Sequence, residues 1–136
     1  MSSIFGNSLT GEQVRDISTL NLAFIGDAVF TLFIRDYLVK RHDAKAGELT
    51  KKCAKYCCAS YQSMLYEKLK PQLTDEEMEI MKRVRNCKTN QKAKNATLAD
   101  YKRATAFEGL IGWLYLREER ERLEEVLKFS IKEIKT

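Results

Sequence analysis

Apolar residues along this chain recur at intervals of three and four, the spacing that lines one side of an α-helix. Alternating strand-like runs joined by Asn-Gly or Asp-Gly turns are missing. Proline occurs once, at Pro71. The pattern predicts an all-α fold of about seven helices, at roughly 10–16, 18–40, 46–56, 57–70, 74–86, 97–117 and 118–134, with the last two open to being continuous. Thr10 with Gln13, Thr74 with Glu77, and Thr97 with Asp100 each have the capping-box spacing that starts a helix. In the last helix Leu123, Leu127, Ile131 and Ile134 form an apolar stripe, and Glu118/Arg122 and Glu124/Lys128 are helix-spaced ion pairs on the solvated side.

Two of the predicted helices are apolar nearly all the way round, as helices in the middle of a bundle are. LNLAFIGDAVFTLFIRDYLV, from Leu20 to Val39, is interrupted at its middle by Asp27, and ATAFEGLIGWLYL, from Ala104 to Leu116, carries the single acid Glu108. An unpaired carboxylate in such surroundings costs several kcal/mol, so each needs a cation, a hydrogen-bond network or a raised pKa. Glycines flank both acids, Gly26 beside Asp27 and Gly109 beside Glu108, with Gly112 one turn on. Glycine inside a helix costs about 1 kcal/mol relative to alanine, and close helix approach is the simplest reason to keep it. Two carboxylates on facing helices suit a hard, oxygen-seeking cation such as magnesium. The alternative is that Asp27 pairs with a buried Arg or Lys, and Glu108 with a tyrosine or a backbone group.

Charge narrows the choice. The 136 residues carry a net charge of +5, yet Lys82 to Arg103 holds eight basic residues against one acid, so the remainder is slightly acidic. Asn86, Thr89, Asn90, Gln91 and Asn95 are interleaved there, neutral donors suited to phosphates and 2′-hydroxyls. Beside a metal-holding acid pair, such an element points to metal-assisted phosphodiester hydrolysis. It lacks the apolar, aromatic-bearing face that membrane binding needs. Length and a 44% hydrophobic content fit a single globular domain, residues 1–136. The N-terminus shows no basic start followed by an apolar run, so the expectation is a cytoplasmic protein. Cys53, Cys57, Cys58 and Cys87 then read as free thiols rather than disulfides or a metal site. The only histidine, His42, stands in a His-Asp pair without the further histidines that such metal sites use, and no glycine-rich phosphate loop is present.

With those motifs in hand, the chain resembles the ribonuclease III family. LNLAFIGDAVFTLFIRDYL is similar to the family signature centred on Gly-Asp-Ala, and ATAFEGLIGWLYL to its second acidic motif. RVRNCK, Arg83 to Lys88, matches the Arg-x-Arg-Asn-x-Lys run of the Mini-III branch, which has the catalytic domain without a double-stranded-RNA-binding domain. Only 20 residues follow Leu116, too few for such an added domain. The resemblance implies a homodimer that holds double-stranded RNA, with Asp27 and Glu108 as catalytic Mg2+ ligands and a product with a 5′-phosphate. It also implies maturation of large-subunit ribosomal RNA, with a ribosomal protein as a conceivable presenter of the substrate. Arg83, Arg85, Asn86, Lys88, Lys92 and Lys94 form the expected RNA-binding set. Where full-length ribonuclease III has further acids, this chain has Leu20, Ala23 and Thr105, which implies weaker metal affinity. The competing reading is a non-catalytic helical RNA-binding or ribosome-assembly module with the two acids as core anchors.

Overall fold

The structure is a computed structural model that describes residues 5–41, 45–88 and 97–132. Among the described residues it is helical, with no strand: α1 Gly11–Arg15, α2 Thr19–Lys40, α3 Ala46–Cys57, α4 Ala59–Leu69, α5 Asp75–Arg85, α6 Leu98–Leu116 and α7 Arg120–Lys132. The capping boxes at Thr10 and Thr74 form in full, and Thr97 caps α6 by accepting from the Asp100 amide. Cys58, with extended backbone, breaks α3 from α4. The last two helices are separate, because Glu118 takes a left-handed conformation at φ 56° between them. None of the described helices is long and apolar enough to cross a membrane.

Helix α6 is the axis of the fold, with α2, α4 and α5 packed around it. Ala104, Ala106, Phe107 and every residue from Gly109 to Leu114 are buried, as the uniformly apolar sequence predicts. Helix α2 offers it a stripe of Leu22, Gly26, Phe30, Ile34 and Leu38. Phe30 meets Phe107 edge to face, centroids 5.2 Å apart, a contact worth about 0.5–1.5 kcal/mol beyond its burial.

The expectation of a second helix buried all round is corrected at α2. Its outer side stays open, leaving Phe24 80%, Leu32 57% and Leu20 41% exposed. One layer of helices covers only the side facing α6, so the outward apolar positions stay uncovered among the described residues.

The glycines explain how closely α2 and α6 cross. A Cβ on Gly26 would overlap the carbonyl oxygen of Glu108 and stand 2.8 Å from the Gly112 nitrogen; one on Gly112 would overlap the carbonyl oxygen of Leu22. Gly109 instead makes room for Val84 of α5, whose Cγ2 would lie 2.7 Å from an added Cβ.

Arg122 also departs from expectation. Rather than pairing with Glu118, it reaches the start of α5 and grips both carboxylate oxygens of buried Glu77, at 2.7 and 2.8 Å. Burial works to raise the Glu77 carboxyl, but the bonds from Arg122 and from the Thr74 amide prevail and hold it below its ordinary range. The Glu124–Lys128 pair forms at 2.8 Å. All four cysteines are free. Burial, then neighbouring Cys53, push the Cys57 thiol up to about 12, so it stays protonated.

Candidate active site

Two consecutive residues of α2 do different work. Gly26 lets the backbone of α6 approach, and Asp27 beside it projects a carboxyl to within hydrogen-bonding reach of Glu108. The two acids, 81 residues apart in sequence, are thereby brought together as expected. Their environments differ, and the expectation that both stand in apolar surroundings is corrected: Asp27 is exposed on the open side of α2, whereas Glu108 is half-buried. Neither acid has a Lys or Arg partner among the described residues, and the exposure of Asp27 differs from the buried ion pair of the alternative reading.

Burial first, then the hydrogen bond and charge of Asp27, push the Glu108 carboxyl up to about 9, with the Gln62 amide pulling the other way. Near neutral pH Glu108 therefore keeps its proton. Two carboxyl groups side by side, hard oxygen donors, fit a hard divalent cation better than a soft metal. Thr105 does not add to the donors, since its hydroxyl donates to the Tyr101 carbonyl one turn back at 2.8 Å.

Gln62 is the site residue that the sequence reading missed. It lies on α4, is 2% exposed, and donates from Nε2 to Glu108 Oε2 at 3.4 Å. Its signal was positional: it occupies the same helical stripe as buried Leu65, Tyr66 and Leu69, where an amide needs a partner.

The expected RNA-binding set divides. Val84 packs on Gly109, so the last turn of α5 lies beside the Glu108 segment. Within that turn, Arg85 is half-buried and donates to the phenol of Tyr66 at 3.0 Å and to Asn86 Oδ1 at 3.3 Å, which ties much of its guanidinium to the fold. Asn86 and Lys88 are exposed at the helix end. Arg83 is exposed and lines a cavity of about 360 Å³ together with Arg15, Glu76, Trp113 and Arg117. Lys92 and Lys94 lie outside the described residues.

A helical fold that sets one acid on each of two crossing helices corresponds to a known family: residues 20–119 match the Ribonuclease III domain. A Mini-ribonuclease 3 of Clostridium tetani is 42% identical over 127 residues, 93% of this chain and 84% of that protein. One from Enterococcus faecalis is 40% identical, over 89% of this chain and 96% of that protein. A crystal structure of a Fusobacterium nucleatum protein superposes with a TM-score of 0.79 at 37% identity, covering 88% of this chain and 95% of that one. The chain belongs to the ribonuclease III family, on its Mini-ribonuclease 3 branch. It is thus an endoribonuclease, of a family that acts on double-stranded RNA with a divalent metal, and not a non-catalytic assembly module.

Proposed function

We propose that this endoribonuclease uses magnesium, held by Asp27 and Glu108, and matures large-subunit ribosomal RNA precursors as a homodimer. The observation that carries the reading is the approach of those two carboxyls across the α2–α6 crossing, with no cationic side chain paired to them among the described residues. Asp27 and Glu108 bind the metal; when bound, it supplies an activated water and a Lewis acid for the leaving oxygen, so that cleavage leaves a 5′-phosphate and a 3′-hydroxyl. Asp27 stands on the open side, where a phosphodiester has access, while Glu108 anchors the site to the core. Asn86 and Lys88, at the end of α5, hold the RNA backbone, a role extended to Lys92 and Lys94.

Support for the dimer comes from α2, whose Leu20, Phe24 and Leu32 expose an apolar stripe on the same open side as Asp27. A second copy laid along that stripe would put two acid pairs at the edge of one interface. The ribosomal RNA assignment rests on the resemblance to the Mini-III branch. The deciding test incubates end-labelled duplex RNA, including structured ribosomal RNA, with the protein in magnesium or EDTA. Wild type should cut in magnesium alone, and folded Asp27→Asn and Glu108→Gln variants should not. Equal cutting in EDTA, or by either variant, refutes the assignment.

A further inference from the structure

Glu108 has three rotatable side-chain bonds, and the close helix crossing fixes only its backbone. Its carboxyl is reached from two sides, by Asp27 of α2 and by Gln62 of α4. Gln62 is the more constrained of these two partners: it is 2% exposed, and Leu65 and Tyr66, next to it on the same helical stripe, are wholly buried, so its amide has little freedom to turn away. The chemistry at this position is selective. A lysine would bring its own positive charge and compete with a bound cation. A glutamate would set a third negative charge against Oε2. A neutral amide donor can fix one oxygen of Glu108 and leave the carboxylate charge available for a metal.

We infer that Gln62 is a positioning residue for metal binding, clamping Oε2 of Glu108 from α4 so that the carboxylate is presented toward Asp27 in a single orientation. The inference rests on the proposal that Asp27 and Glu108 bind the metal. It predicts where a lesion registers. Removing the amide donor should raise the metal concentration needed for half-maximal cleavage far more than it lowers the rate at saturating metal. Loss of a group that orients a metal ligand typically weakens binding by about 10–100-fold.

The experiment titrates Mn2+ into the full chain and follows the free ion by electron paramagnetic resonance, so that binding is read without turnover. Wild type, Gln62→Met, Gln62→Asn, Glu108→Gln and the Gln62→Met/Glu108→Gln double variant are compared. Gln62→Met keeps the volume and removes the donor; Gln62→Asn keeps an amide but withdraws it by one methylene, and serves if the first variant does not fold. Either change should weaken Mn2+ binding about tenfold, and Gln62→Met should cause no further loss when Glu108 is already glutamine. Binding within twofold of wild type in the folded Gln62 variants overturns the inference. So does the same loss with or without Glu108, since that pattern belongs to a general effect on the fold. If Glu108→Gln binds Mn2+ as tightly as wild type, the underlying metal assignment fails instead, and the two failures are told apart by that one variant.

Discussion

Replacing Gly26 by alanine sets two effects in opposition. Helix propensity favours alanine in a helix interior by about 1 kcal/mol, so taken alone α2 should gain stability. The added methyl, however, would stand 2.7 Å from the carbonyl carbon of Glu108 and 2.8 Å from the Gly112 nitrogen, and would overlap the Glu108 carbonyl oxygen. Comfortable contacts begin near 3.5 Å, so the Gly112 nitrogen alone requires α2 and α6 to part by about 0.7 Å, and the overlapped Glu108 oxygen requires more. The obstruction is helix backbone and cannot rotate away. Overpacking costs about 1–3 kcal/mol, and with backbone on both sides the upper end applies, leaving a net loss of about 2 kcal/mol after the propensity gain. For a chain of this size that lowers Tm by roughly 6–10 °C. The same displacement moves Asp27 away from Glu108, and a shift of about 1 Å in reacting groups costs on the order of 100-fold in rate. Thermal melts by circular dichroism and single-turnover cleavage measure both. Gly47→Ala is the control, because an added Cβ there meets nothing within 4 Å; its Tm should hold or rise. An unchanged or raised Tm for Gly26→Ala would refute the close-crossing argument.

Three further outcomes are expected. Glu77→Gln leaves Arg122 facing a neutral partner at a site where Glu77 is 5% exposed, and should cost about 3 kcal/mol in urea unfolding at pH 7. Because the Glu77 carboxyl is held below its ordinary range, its contribution is present above that range and lost as pH falls through the folded value, so the gap to wild type should close in acid. Glu108 has the opposite sign: its carboxyl binds a proton in the folded state up to about 9, so metal-free protein should lose stability as pH rises from the ordinary carboxyl range toward 9. In EDTA, Glu108→Gln should lack that decline, and a wild-type Tm flat across this range would contradict it. Lys88→Ala should reduce the salt slope of RNA binding by about 1 while leaving Tm unchanged. Arg85→Ala should chiefly lower Tm, since the buried Tyr66 phenol loses its partner; an equal salt slope for Lys88→Ala and wild type would remove Lys88 from the phosphate contacts.

The sequence was a good guide wherever one helix decided the matter. The helical pattern and the capping boxes at Thr10 and Thr74 could be read from spacing, because caps act over a turn or two, and glycines in the middle of apolar helices signalled a close approach without showing which backbone approaches. The acid pair was legible for a different reason: a carboxylate in the apolar middle of each of two helices, Asp27 in α2 and Glu108 in α6, is conspicuous. Which side of a helix is covered, and which ion pairs form between helices, were not legible. Hydropathy treats all sides of α2 alike and gives no sign that Phe24 and Leu32 face outward. Ion-pair spacing within a helix suggested Glu118 for Arg122, whereas the partner, Glu77, comes from 45 residues away. Charge counting grouped Arg83 with Arg85, and only the packing of α5 on α6 separates an arginine that lines a cavity from one that holds a tyrosine.

The joining of Gly26 to Asp27, and of Glu108 to the backbone that Gly26 touches, has a consequence for how this enzyme should fail on heating. Enzymes that carry their reacting groups on loops often lose activity while the scaffold is still intact, because loops open first. Here the acid pair is set by the tightest contact between two core helices, so no softer element stands between site and core. Activity should therefore persist up to the cooperative melting of the protein and disappear with it, so that cleavage rate becomes a reporter of helix packing.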